Sequence, residues 1–321
     1  MMASVQCQLS MTQAGFVLAS TSSEESVSAK GSCQLLLLGV AQDAGVPQTG
    51  CACTNCAAVW SGTMPRQFAV SAAVIDAVSC QCWLLDCSPD FKDQYHALQE
   101  YLDDHGLGDV QLSGVLLTHL HMGHYLGLMQ FGREAMDWGG LQVWGTQSVL
   151  SFFSSNEPWK TYIRNGNFVL KQLQPGVELR LSDTVSVAAA AVPHRAEFSD
   201  AVGYYIRGAR RTAFYLPDID SWDAWQAAGT DMCQVVRSVD LALLDGCFFS
   251  TAELPGRDLS QIPHPLITDT AARLKGIATG DKEVVMVHLN HSNPCYREGR
   301  ERQQAIDAGL RIGRQGQVFK L

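Results

Sequence analysis

No stretch of this chain reaches the roughly 18 uninterrupted apolar residues that a membrane span requires. The longest candidates, Leu35–Val40 and Val185–Val192, are strand-sized. Basic residues are scarce: Lys plus Arg number 23 against 32 Asp plus Glu, a formal net charge of −9. An acidic chain repels phosphate backbones, so a nucleic-acid clamp driven by bulk charge is not expected. No basic residue precedes Lys30, which argues against an ordinary secretory signal or an arginine-rich transit peptide. No Pro- or Gly-rich linker divides the chain, and no repeat of about 20 to 50 residues is visible. Charged residues make up only 17%, whereas hydrophobic residues make up 46%. That is too apolar for a chain that cannot collapse, and ample for a large core. A length of 321 residues fits one large domain or two small ones.

Residues 1–32 are polar, Ser-rich and aperiodic, and read as a disordered extension, with an atypical targeting peptide as the alternative. From residue 33 onward the pattern alternates short strands with helices. Leu35–Leu38, Val115–Thr118 and Leu141–Trp144 read as buried strands, and Val70–Asp76 with Cys82–Asp86 as a hairpin pair. Asp90–Leu102 and Tyr125–Met136 read as helices from their apolar spacing. The second half restarts with strands at Val185–Val192, Val202–Arg207, Thr212–Leu216, Leu241–Asp245 and Glu283–His288. It ends in a helix over Arg297–Ala308 and an edge strand at Val318–Leu321. Two mixed halves with every motif at a strand end imply one α+β domain over 33–321, two sheets covered by helices.

Cysteine is neither rare nor evenly spread. Three of the eleven crowd into Cys51-Ala-Cys53-Thr-Asn-Cys56, a spacing that suits a soft metal such as zinc better than a disulfide framework. The others, Cys80, Cys82, Cys87, Cys233 and Cys247 among them, read as scattered buried thiols. A reducing, cytoplasmic setting is expected. Histidine is concentrated as well: of nine, three fall in Thr118-His119-Leu-His121-Met-Gly123-His124, after a buried strand and before a helix. Alternate residues of an extended segment face the same way, so His119 and His121 share a face, and neutral imidazole is the commonest metal ligand.

That histidine run resembles the His-x-His-x-Asp-His signature of the metallo-β-lactamase superfamily, which implies an αββα sandwich of two mixed sheets. The remaining parts of the family pattern occur in order at strand ends: Asp86, His194, Asp218 and His288. The resemblance implies a first metal position from His119, His121, His194 and Asp218, and a second from His124, His288 and shared Asp218. The family aspartate before the third histidine is Gly123 here, so the second position is expected to bind weakly or stay empty. Zn²⁺, Fe²⁺ and Mn²⁺ all suit this ligand type.

Cys51, Cys53 and Cys56 need a fourth ligand. His291, three positions after His288, resembles the structural zinc ligand of the cyclic-phosphate phosphodiesterase branch of phosphonate metabolism; Asp43 is the alternative. Gly39–Gln48, Asp245-Gly-Cys-Phe-Phe249 and Asn293-Pro294 look like the coenzyme PQQ synthesis protein B family. The chain departs from that family at His291, where asparagine is expected, and at His121. The leading expectation is hydrolysis of a small phosphodiester or ester-like substrate through metal-bound hydroxide. In it Asp218, His288 and Asp86 act at the reaction centre, and His264 and Arg195 touch the substrate. The rivals are a mononuclear iron oxygenase related to PQQ biosynthesis and a non-catalytic metal-binding module. The expected partner is a small molecule, with neither nucleic acid nor membrane; a homodimer is compatible with this reading.

Overall fold

The computed structural model describes residues 33–321 apart from 255, 257, 259 and 260; the expected extension over 1–32 lies outside the described residues. The chain builds two seven-stranded sheets in sequence. The first holds β1 (Cys33–Gly39), β2 (Ser71–Asp76), β3 (Gln81–Leu85), β4 (Gln111–Leu116), β5 (Leu141–Gly145) and β6 (Phe168–Gln172). The second holds β7 (Glu178–Arg180), β8 (Ser186–Val192), β9 (Ala201–Arg207), β10 (Thr212–Leu216), β11 (Leu241–Asp245), β12 (Glu283–Val287) and β13 (Leu310–Ile312). The last strand, β14 (Val318–Lys320), returns to the edge of the first sheet, antiparallel to β1. The first sheet is ordered β14-β1-β2-β3-β4-β5-β6 and the second β13-β12-β11-β10-β9-β8-β7. Each is mixed: β3 to β6 and β10 to β13 run parallel, and the rest are antiparallel.

The unbroken apolar run of β1 follows from its place in a four-layer stack. A strand covered on both faces has no wet side, so alternation disappears from its sequence. Leu35 and Leu37 pack between the sheets against Tyr204, Tyr215 and Val285. Leu36 and Leu38 turn outward onto the helix Phe91–Asp104, among Phe91, Leu98 and Tyr101. The second sheet is covered in the same way by the helices Trp222–Ala227 and Met232–Ser238, whose Trp222, Trp225 and Val236 meet Phe214 and Leu244. This is the expected αββα arrangement.

Two buried tyrosines of the second sheet reach across to the first. Tyr204 Oη donates to the Leu117 carbonyl at 2.5 Å, and Tyr215 Oη reaches the Asp86 carboxylate at 3.4 Å. A buried phenol needs an acceptor, so these contacts fix how the ends of β3 and β4 face the ends of β9 and β10.

The expected helix over Tyr125–Met136 is different in form. One α-turn, Met122–Tyr125, tightens into a 3₁₀ segment over Leu126–Phe131 and stops at Gly132. Gly127 lies so close to the Ser88 carbonyl and the Phe91 side chain that any Cβ would collide. Its N–H donates to the Cys87 carbonyl at 2.9 Å. The tight segment is thereby stitched to the loop after β3 while Leu128 and Phe131 still reach the core.

Leu37 is fully buried between the sheets. Leu37→Ala is expected to cost about 2–5 kcal/mol, read as a lower denaturant midpoint at unchanged slope.

Candidate metal centre

The carboxyl ends of the parallel strands open on one edge of the sandwich, where open α/β sheets bind ligands. Asp86 follows β3, Thr118 and His119 follow β4, Asp218 follows β10, Asp245 ends β11 and His288 follows β12. His194 follows β8, and the loop carrying Asp43 follows β1. Asp86 and His288 both take φ of +61°, a left-handed conformation that costs a non-glycine residue about 1–2 kcal/mol. The two turns aim their side chains into the shared cavity.

Four ligand atoms converge there. His119 Nε2 lies 3.0 Å from His121 Nδ1, and His194 Nε2 lies 2.9 Å from the same atom. Asp218 Oδ2 stands 3.4, 3.2 and 4.0 Å from His119 Nε2, His194 Nε2 and His121 Nδ1. A tetrahedral zinc with bonds of about 2.0–2.1 Å would have ligand–ligand edges of about 3.3 Å, so the donor set fits one divalent ion.

The far nitrogen of each imidazole is held by an oxygen. His194 Nδ1 meets Asp220 Oδ1 at 2.9 Å, His121 Nε2 meets Glu197 Oε2 at 3.0 Å, and His119 Nδ1 meets Thr118 Oγ1 at 3.0 Å. Such partners fix the tautomer and orientation of a ligating ring. Neither Asp220 nor Glu197 is among the site residues that the sequence points to. Asp86 does not touch the first cluster's ligand atoms. Its Oδ2 meets His124 Nδ1 at 2.8 Å, and its Oδ1 accepts from the Thr118 N–H at 2.8 Å.

A second group shares Asp218. His124 Nε2 and His288 Nε2 stand 3.8 and 3.7 Å from Asp218 Oδ2, and 3.3 and 3.9 Å from Asp43 Oδ1. Asp43 is therefore directed at these histidines and not at the cysteines. Beyond them, His264 Nδ1 lies 2.7 Å from Asp245 Oδ2 and 3.4 Å from Asp218 Oδ1. Cys247, read from sequence as a bland buried thiol, comes within 4.8 Å of the His264 and His288 nitrogens. Arg195 is drawn to Glu197, with Nη1 at 3.6 Å from Oε1, and its link to the cavity runs through that carboxylate.

Charge in the cavity is balanced among these groups. Burial, with the neighbouring His124 charge, holds His119 far below the usual imidazole range. Burial would push His124 down too, but the Asp86 and Asp43 carboxylates outweigh it and hold it near 9. Burial would likewise raise Asp218, but the surrounding histidines, His288 first, keep it well below the usual carboxylate range. Even so, Asp43 Oδ1, His124 Nε2, Asp218 Oδ1 and both ring nitrogens of His288 are buried without a hydrogen-bond partner. Buried polar atoms in native proteins are nearly always partnered. Orphans of both kinds facing one cavity match a bound cation.

The cysteine loop forms a separate cluster. Cys51, Cys53 and Cys56 place Sγ at 3.4, 3.4 and 3.7 Å from His291 Nδ1, all four ligand atoms lying within 4.8 Å of one another. Cys53 precedes the helix Thr54–Trp60. Burial opposes ionisation of its thiol, but hydrogen bonds from Cys56 and Asn55 keep it below its usual value. Asn55 Nδ2 donates to the His291 and Asn293 carbonyls at 2.9 Å, locking the two loops together.

Asp86 is fully buried and anchors Thr118 and His124 together. Asp86→Ala leaves those donors unpaired. It is expected to cost about 3–5 kcal/mol, measured by chemical unfolding of the metal-free protein.

The coenzyme PQQ synthesis protein B of Methylobacterium nodulans is 25% identical over 320 residues, covering 90% of this chain and all of the relative. Its counterpart from Klebsiella pneumoniae is also 25% identical, covering 89% and 97%. Among solved structures, Zn²⁺-bound PqqB from Methylobacterium extorquens superposes with a TM-score of 0.72 at 20% identity, over 90% of this chain and all of that one. A diphosphatase of the PhnP family follows at 0.62 and 20%, covering 90% and 97%. Among the described residues no helix is long and apolar enough to cross a membrane. The model described as a beta-lactamase superfamily domain matches residues 83–289, well over half the chain and the span from β3 to the loop after β12, and on that match this protein belongs to the metallo-β-lactamase superfamily.

Proposed function

We propose that this protein is a metal-dependent hydrolase of a small phosphodiester or ester-like substrate. The observation that carries the reading is the convergence of His119 Nε2, His121 Nδ1, His194 Nε2 and Asp218 Oδ2 on one point, beside further acid–base groups. These four residues would hold Zn²⁺, Fe²⁺ or Mn²⁺. Such an ion, when bound, lowers the pKa of a coordinated water to about 7 and polarises the bond under attack.

The chain's own groups supply the rest. Asp218 Oδ1, buried without a hydrogen bond, would accept one from the attacking water. His264 is fixed by Asp245 through Nδ1, leaving its other nitrogen for an anionic substrate oxygen. His288 stands beside Asp218: with the first position alone filled it would deliver a proton to a leaving group, and with a second ion present it would be a ligand. Asp86 acts at one remove, by orienting His124. Arg195, 37% exposed along its side chain, offers a second cationic group near the opening. The neighbour named as a diphosphatase, which shares this fold, is consistent with a phosphate-bearing anionic substrate. The partner proposed is that small molecule.

A second reading draws on the relatives named for PQQ synthesis, which match nearly the whole chain: the same ligands would hold Fe²⁺ for chemistry with O₂. A third, non-catalytic reading rests on the carboxylate missing at Gly123; a filled cysteine site with an empty histidine cavity would favour it.

His119→Ala is expected to abolish hydrolysis of bis(p-nitrophenyl) phosphate by the Zn²⁺- or Mn²⁺-loaded protein while leaving the circular dichroism unchanged. Wild-type turnover in the variant would remove His119 from the mechanism. O₂ consumption by the Fe²⁺-loaded protein, without phosphodiesterase activity, would favour the second reading.

We also assign a structural Zn²⁺ to Cys51, Cys53, Cys56 and His291, since three thiolates and an imidazole form a closed tetrahedral set. Cys53→Ser is expected to lose one zinc per chain and to lower Tm before it lowers activity. An unchanged Tm would argue against a structural ion.

A further inference from the structure

We propose that Asp43, carried by the loop after β1, is the carboxylate ligand of a second metal position formed with His124, His288 and Asp218, and that residue 123 is glycine because Asp43 fills the space its side chain would need. The inference builds on the metal-dependent reading above and gives that cavity a two-ion ligand set.

The first observation is steric. A Cβ at Gly123 would collide with the Cα and Oδ1 of Asp43 and lie 2.8 Å from its Cβ. Gly123 is helical, in Met122–Tyr125, so no left-handed conformation demands glycine there; the Asp43 backbone does. The two positions exclude each other: a side chain at 123 and the present course of the Asp43 loop cannot coexist.

The second observation is unmet bonding. Asp43 Oδ1, His124 Nε2 and His288 Nε2 are all buried without a hydrogen-bond partner, and they face one another. Two lone-pair nitrogens and a carboxylate oxygen cannot satisfy one another in their metal-binding states, whereas a cation satisfies all three. Asp218 Oδ2 completes the group at 3.8 and 3.7 Å from the two nitrogens. The ligand chemistry, two imidazoles and two carboxylates, suits a borderline or harder divalent ion such as Zn²⁺, Fe²⁺ or Mn²⁺.

The third observation is that the loop is fixed. The Gln42 N–H donates to the Leu289 carbonyl, and the Leu289 N–H donates to the Val40 carbonyl, each at 2.9 Å. These bonds strap the chain before Asp43 to the residue after His288. Within the loop, the Gly45 N–H closes a turn onto the Gln42 carbonyl at 2.8 Å. Asp43 and His288 therefore arrive together, and the backbone that places one places the other.

The test is metal content and spin coupling, independent of turnover. Full-length protein loaded with Zn²⁺ is expected to hold three ions per chain: one on the cysteines and two in the histidine cavity. Asp43→Asn, nearly isosteric, is expected to hold two, and its Mn²⁺-loaded form to lose the exchange-coupled electron paramagnetic resonance signal of the wild type. Gly123→Ala, whose Cβ would displace the Asp43 backbone, is expected to lose the same ion and the coupled signal although Asp43 itself is unchanged. Three ions in Asp43→Asn overturns the inference and leaves the hydrolase reading intact. One ion in the wild-type histidine cavity also overturns it, leaving a mononuclear hydrolase. A wild-type histidine cavity without any ion overturns both.

Discussion

The Asp218 carboxylate is buried at the junction of the two sheets, with the nitrogens of His119, His121, His124, His194 and His288 all within 4.0 Å of its Oδ2. A carboxylate buried this deeply is tolerable only if positive charge is shared around it, as protons or as metal. This constraint organises the rest of the site. The rings cannot turn away, because Asp86, Asp220 and Glu197 hold the far nitrogens of His124, His194 and His121. The carboxylate cannot leave, because β10 is sandwiched between the antiparallel β9 and the parallel β11. Cations are the remaining freedom, and the donor atoms are spaced for them.

The fold creates that junction by repetition. Each half of the chain makes a mixed sheet whose parallel strands end on the same edge, and the sheets pack face to face through β1, β2, β9 and β10. Tyr204 and Tyr215 then set the two edges in register by reaching over to Leu117 and Asp86. Because the ligands sit on the first residues after the strands, their positions inherit the stiffness of the sheets. The left-handed turns at Asp86 and His288 are strained points of the kind that persist where surrounding structure over-determines them.

Much of this was readable in the sequence, for a physical reason: a ligand at a strand end is announced by the apolar run before it. His119, His121, His194, Asp218 and His288 all follow such runs and all arrive in the cavity; Cys51, Cys53 and Cys56, marked by their own spacing, meet separately at His291. What escaped has no such herald, or carried one that was assigned elsewhere. Asp220 and Glu197 lie within loops, and their value depends on which ring they happen to face. Asp245 ends β11 but was noted only as part of a resemblance, although its carboxylate fixes His264. Asp43 lies beyond β1 in the loop that leads to the cysteines, for which the sequence offers it as the alternative to His291. The signal at residue 123 is steric: the Asp43 backbone occupies the space a side chain there would need, and the sequence does not carry that contact. The helix over Tyr125–Met136 failed on a related point, since Gly127 is pressed against the Ser88 carbonyl and periodicity alone carries no information about that neighbour.

The two clusters are not independent. His288 and His291 sit on one short loop, and the chain leading to Asp43 is hydrogen-bonded to Leu289 between them. The loop after β1 then runs from Asp43 to Cys51, so it touches the histidine cavity at its start and the cysteine cluster at its end. Asn55 closes the circuit by donating to the His291 and Asn293 carbonyls. An ion on the cysteines would tie both loops at one end and so limit how far Asp43 and His288 could drift at the other. A carboxylate brought in on a loop is less rigidly placed than one on a helix, and this cross-brace supplies what the helix would have provided. The loop that carries Asp43 is thus held at both ends, by Leu289 before it and by the cysteine loop beyond it.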